Sequence, residues 1–250
     1  MLGTSARNSF PRYEDQLGPV DHGDRTELKS GADSTLNEDE ALALLQRRDL
    51  SCEVIGRITK SSAAMKSRKV QLAVAQHPKT PRHVSLPLLR HLFTFELMQV
   101  TLNPVALADI KKAAEDALLH RLETISLGER VALALRSSGN VAGELLFDSE
   151  LRVLQAALEN PRLTEAGVVK VLLSPGASAL LVQVVCEHPR WSLRKDVRIA
   201  LLRSQNTPVA RAAEFARTLA AGLVAEILES SNLREDVKAL VQGKIEGHAR

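Results

Sequence analysis

Aromatic side chains are scarce in this chain of 250 residues: one Trp, one Tyr and five Phe make up 3% of it. A surface that stacks successive bases of a single strand needs more of them. Ala, Leu and Val carry most of the 44% hydrophobic content instead, which suits helices packed closely through small and aliphatic side chains. There are two cysteines, Cys52 and Cys186, and no Cys-x-x-Cys spacing, so neither a zinc ribbon, an iron–sulfur site nor a thioredoxin-type motif is supported. Two reduced thiols are expected, with Cys186 buried on an apolar helix. No apolar run approaches the ~18–20 residues that cross a bilayer, and Met1 to Val20 lacks the apolar core of a secretory signal. These absences point to a soluble protein of a reducing compartment, the cytoplasm.

Catalytic signatures are missing too. The chain has no Gly-rich phosphate loop, His-Glu-x-x-His, Gly-x-Ser-x-Gly or kinase motif. Its seven histidines, His22, His77, His83, His91, His120, His188 and His248, have no ligand spacing. The acidic groups Glu38-Asp39-Glu40 and Glu144/Asp148/Glu150 read as solvated helix ends, because paired carboxylates need a pocket and a partner to act as acid and base. No catalytic residue, metal or cofactor is expected.

Charge is present but segregated beneath a net +3. From Tyr13 to Glu53 eleven acids face four bases, whereas between Glu53 and Glu96 there is no acid and eight bases. Those bases are Arg57, Lys60, Lys66, Arg68, Lys69, Lys79, Arg82 and Arg90. A second basic stretch, Arg190 to Arg217, holds seven bases and two acids. Clustered Lys and Arg suit phosphate binding without sequence preference, and also an ordinary solvated helix surface.

Residues 1–36 show no sustained apolar period and read as a disordered polar and acidic tail. Residues 37–66 read as an N-terminal helical cap. Asn37 with Glu40 resembles a capping box, and Ser51 opens a second helix. In Ser67 to Ala75 the alternation Val70-Leu72-Val74 suggests a strand, but the alanines and the helical neighbours favour a helix. Thr80-Pro81 and Thr207-Pro208 each predict a cap followed by proline at the first helical position, and Pro87 should kink or split its helix. Ala108 to Leu122 is the clearest amphipathic helix. Thr164 caps a further one, and Arg234 to Ile245 is the last. His77, Asn103, Asn160 and His188 each precede proline at a turn, where a side chain bonding the turn backbone explains all four without catalysis.

An acid–aliphatic–base triplet recurs at Asp109-Ile110-Lys111, Glu150-Leu151-Arg152, Asp196-Val197-Arg198 and Asp236-Val237-Lys238. Taken to open the second helix of each unit, it predicts an all-α, right-handed-type α-solenoid of stacked two-helix repeats of about 40–46 residues over 67–250. The acid suits the first turn, and the aliphatic residue should face the neighbouring helix. A two-helix unit opened by Asp-Val-Arg is similar to HEAT repeats. The turns His77-Pro-Lys-Thr-Pro81, Leu102-Asn-Pro104 and Glu159-Asn-Pro-Arg-Leu-Thr164 resemble the leucine-rich-repeat variant. The likeness covers residues 67 to 245 and implies a binding scaffold. Iron–sulfur members of the variant class have cysteines this chain lacks, and glycosylases of the HEAT-like group use several aromatics where it has one Trp.

The stretch Leu181 to Arg203 carries the residues that stacking does not require. Arg190, Trp191, Arg194, Lys195 and Arg198 form one candidate binding set; Arg57, Lys60, Lys66, Arg68, Lys69, Lys79 and Arg82 form the other. Trp191 either packs against the next unit or presents a recognition aromatic beside a basic strip. The expected function is a non-enzymatic scaffold that binds another protein. The alternative is a HEAT-like nucleic-acid binder using the basic stretches 57–90 and 190–217; the acidic segment 13–53 is then either an internal mask of that face or only a charge balance. A glycosylase built around Trp191 and a carboxylate is a third, remote reading.

Overall fold

Every element among the described residues is a helix, for reasons visible at the helix starts. The computed structural model describes residues 36–231, 233 and 235–246; among them are sixteen α-helices, one 3-10 turn and no strand. The tail 1–35, and with it His22 and most of the acidic segment, lies outside the described residues, as do Asn232, Arg234 and His248. Asn37 and Glu40 form the expected capping box: Asn37 Oδ1 accepts from the Glu40 amide at 2.8 Å and Glu40 returns the bond to the Asn37 amide at 3.1 Å. Ser51 and Thr164 cap as read, accepting from Val54 N and Gly167 N.

The helices alternate between two rows. One row holds α1 (Glu38–Leu45), α4 (Arg68–Gln76), α6 (Thr94–Leu102), α8 (Leu127–Arg136), α10 (Leu151–Leu158) and α12 (Ala179–Glu187), each packed on the next. It is followed by α14 (Val209–Arg217) and α16 (Glu235–Glu246), which pack on each other. The second row is α5 (Arg82–Leu89), α7 (Ala108–Arg121), α9 (Gly139–Glu144), α11 (Glu165–Leu172), α13 (Lys195–Arg203) and α15 (Ala221–Glu229), again each on the next. Before them α2 (Cys52–Lys60) and α3 (Ser62–Lys66) join α1 to α4, and a 3-10 turn (Leu145–Phe147) follows α9.

This alternation does not follow the expected period. Members of the first row from α4 to α12 begin at residues 68, 94, 127, 151 and 179, a spacing of 24 to 33 residues where 40–46 was expected. The acid–aliphatic–base triplet does not mark one row: it falls in α7 and α13 of the second row, but at α10 and α16 of the first. Ile110, Val197 and Val237 are buried, whereas Leu151 is 43% exposed, and Val153 and Leu154 take its place in the core. An acid near a helix start answers the helix dipole wherever the helix lies, so the triplet reports helix starts and not repeat phase.

Residues 68–76 are helical because Val70 and Val74, four apart, and Ala75 share the buried face. Pro87 does not split α5; the helix ends two residues later at Leu89, and Leu92 is buried beyond it. Thr80 and Thr207 are not caps. The prolines after them occupy the cap position without a side-chain bond, and each threonine hydroxyl donates backwards, to Val74 O at 2.7 Å and Leu201 O at 2.6 Å. Two hydrophobic clusters result. Val70 and Val74 belong to a small one with α1 to α3, and Ala75 to a large one that continues to Val241.

Candidate docking grooves between successive helices

Four of the turns that end first-row helices, after α4, α6, α10 and α12, carry a side chain that bonds the turn and reaches back to the helix before. Four residues accept from the amide two positions on: His77 from Lys79 at 3.2 Å, Asn103 from Val105 at 2.9 Å, Asn160 from Arg162 at 2.8 Å, and His188 from Arg190 at 3.2 Å. Their other polar atoms reach back 23 to 30 residues. His77 Nε2 lies 2.9 Å from Arg47 O, Asn103 donates to Gln76 Oε1 at 2.9 Å, and Asn160 donates to Ala134 O at 2.7 Å and Ser137 O at 3.2 Å. His188 Nε2 stands 3.3 Å from Glu159 Oε1. The turn bonding read from these four residues is what the structure shows, and for His77, Asn103 and Asn160 a rearward bond also reaches the end of the preceding first-row helix.

Several of the candidate residues serve the same stacking. Trp191 is 1% exposed and donates from Nε1 to Leu158 O at 2.8 Å, so it is a packing residue and not a contact aromatic. That burial also removes the ground for a glycosylase pocket around it. Arg190 lays its guanidinium 4.2 Å from the Trp191 ring centroid. Arg198 donates to Ser192 O at 2.7 Å. Arg68 bonds Glu96 and His91 O and stacks over the exposed Phe93, while Lys69 pairs with Glu38 at 3.7 Å and Arg82 with Asp109 at 2.5 Å. Although burial opposes it, the Glu96 carboxyl is held below its ordinary range by Arg68 and the Phe93 amide. Arg121, Arg162 and Arg211 likewise donate to Arg90 O, Arg136 O and Cys186 O at helix ends, where the negative pole of the dipole favours a cation.

Arg57, Lys60, Lys66, Lys79, Arg194 and Lys195 are exposed and make no ion pair among the described residues. The first three stand in the last turns of α2 and α3, again at negative helix poles. The structure does not bring the two basic sets together: α5 packs on α4 and α7, and α13 on α11, α14 and α15.

Grooves open between successive helices of one row. In the second row a groove of about 660 Å³ runs between α11 and α13, with Glu165 and Asp196 at its start and Lys170 and Arg203 at its end. Leu173, 48% exposed, and Ile199 line it. A neighbouring groove of about 420 Å³ between α9 and α11 shares Lys170 and is lined by Phe147, 39% exposed. In the first row a groove of about 420 Å³ between α10 and α12 is lined by Leu151, Leu180, Val184, Glu159, Glu187 and His188. Among the described residues no three His, Cys, Asp or Glu side chains come together to hold a metal ion, and no helix is long and apolar enough to cross a membrane.

Both thiols are free. Cys52 is exposed; burial pushes the Cys186 thiol up to about 12. Burial also lowers the His188 imidazole, against the pull of Glu159. Neutral His188 therefore belongs to the folded state, and as pH falls the unfolded chain takes up the proton first. Its contribution to stability is complete above the unfolded value near 6.5 and is lost as pH drops through it towards the lower folded one. His188→Asn keeps the turn bond, as Asn160 does, and should flatten that part of the profile. Melting temperatures from about pH 7.5 to 5 check this; identical slopes in both proteins would contradict it.

Positions in the first-row groove carry a signal that the triplet obscured. Gln155-x-x-x-Glu159-Asn160-Pro161-Arg162 and Gln183-x-x-x-Glu187-His188-Pro189-Arg190 align 28 apart, identical at the Gln, Glu, Pro and Arg positions, with Asn160 opposite His188. No protein-family model matches the chain, and neither a curated protein nor a solved structure does. Among the described residues the chain is all-helical, with sequential pairwise packing.

Proposed function

We propose that this chain is a non-enzymatic α-solenoid scaffold of HEAT-like kind that binds another protein along the grooves of its second helix row. The observation that carries the reading is the pair of adjoining grooves α9–α11–α13, joined at Lys170 and lined by the exposed apolar side chains Phe147 and Leu173. Apolar surface in a groove between helices suits a segment that lays an apolar face into it, with charge at both ends to set its direction. The two-row alternation and the turn bonds to the preceding unit support the solenoid.

A photo-reactive amino acid at Ala166, an exposed position within the larger groove, tests the reading in cells that express the full chain. A discrete protein adduct is expected, and Leu173→Asp should abolish it while leaving the helical circular dichroism unchanged. Recovery of nucleic acid alone would favour the competing reading, for which the exposed Arg57, Lys60, Lys66 and Lys79 speak. That binding would weaken steeply with added salt.

A further inference from the structure

The groove between α10 and α12 has charges that the fold does not account for. Glu159 and Glu187 occupy the same position in successive units, Glu159 capping the end of α10 and Glu187 ending α12. Carboxylates there face the negative poles of two helices, the arrangement a helix disfavours. Neither helix has a base in its last turn, and no Lys or Arg lines the groove. The second-row groove differs in kind: its acids sit at helix starts and its bases near helix ends, where stability alone would place them.

His188 supplies an independent observation. It is 9% exposed, lines the groove, and its Nε2 finds no hydrogen bond. Because Nδ1 accepts from the Arg190 amide, the ring proton lies on Nε2, which faces Glu159 Oε1 at 3.3 Å without aligning on it. A donor thus stands behind one of the two carboxylates. One turn before the glutamates, Gln155 and Gln183 offer amide groups to a passing backbone. Leu151, exposed where its triplet counterparts are buried, and the half-buried Leu180 and Val184 supply the apolar lining.

We propose that this groove is a second docking site, and that its occupant is a protein segment in which Lys or Arg alternates with apolar residues. The bases meet Glu159 and Glu187 and complete the two helix ends; the apolar side chains lie on Leu151, Leu180 and Val184. Charge complementarity sets the partner class, and like charge at these two positions rejects acidic segments.

The test is an array of short Leu–Lys and Leu–Arg peptides, each matched by a peptide with Glu at every basic position, probed with the full-length chain. Basic members should be retained and acidic ones not. Fluorescence anisotropy on the best basic peptide should show about tenfold weaker binding for Glu159→Gln with Glu187→Gln, since each tenfold corresponds to a 1.4 kcal/mol change. Glu165→Gln with Asp196→Asn, in the other groove, should leave binding unchanged. Glutamine retains the side-chain shape and removes the charge facing the helix pole, so the double variant should melt no lower than the parent. Equal retention of basic and acidic peptides, or undiminished binding by the double variant, overturns the proposal. So does self-association in sedimentation that the same two substitutions abolish, because the groove's occupant would then be a second copy. The photo-crosslink at Ala166 is read on the other row, so the two sites fail separately.

Discussion

Trp191→Ala is expected to destabilise the chain by about 4 kcal/mol, within the ~3–5 kcal/mol range for emptying a buried aromatic site. The side chain is 1% exposed, and its Nε1 donates to Leu158 O across the boundary between consecutive first-row helices. Alanine leaves both a cavity and a carbonyl without its donor. Trp191→Phe keeps much of the ring volume and loses only the donor, so about 1–2 kcal/mol is expected. For a chain of this size a loss of about 4 kcal/mol corresponds to a melting temperature lower by about 10 °C. Thermal unfolding followed by circular dichroism measures both variants. Since Trp191 is the only tryptophan, the parent's fluorescence reports directly on this turn, and acrylamide should quench it slowly. Fast quenching together with a small alanine effect would return Trp191 to the surface.

Asn160→Ala should cost about 3 kcal/mol without creating a large cavity. Asn160 is fully buried and makes three hydrogen bonds, donating to Ala134 O and Ser137 O and accepting from Arg162 N. Each buried group left unpaired costs ~1–3 kcal/mol. Asn160→His supplies one acceptor and one donor, as His188 does in the following unit, and should recover part of the loss. Asn160→Asp keeps the acceptor, removes both donors and buries a charge, so it should be at least as damaging as alanine. Denaturant titration of the three variants orders them. Histidine falling below alanine would mean that this turn is held by shape and not by its hydrogen bonds.

Local structure was the most legible part of the sequence because its determinants are local. Asn37 with Glu40, Ser51 and Thr164 start helices through bonds three residues long, and the turn residues before proline act through bonds two residues long. Repeat phase was not legible from the acid–aliphatic–base triplet, since a first-turn acid suits a helix of either row. The 28-residue match between Gln155–Arg162 and Gln183–Arg190 follows the first-row spacing, and it also identifies Glu159 and Glu187 as equivalent. The structural use of individual arginines was not legible for a different reason. Arg68, Arg121, Arg162 and Arg211 donate to carbonyls 23 to 31 residues away, and no local pattern separates such an arginine from one facing solvent. Trp191 raised the same ambiguity, decided by a carbonyl 33 residues upstream.

Amide hydrogen exchange on the full chain, parent against Asn160→Ala, tests the stacked-unit architecture most directly. In a stack each unit's stability depends on its immediate neighbours. Exchange should therefore accelerate most in α8 to α11, less in α6, α7, α12 and α13, and little in α1 to α4. Uniform acceleration from α1 to α16 would show one indivisible core instead, and would contradict an array built by fastening turns to the unit before them.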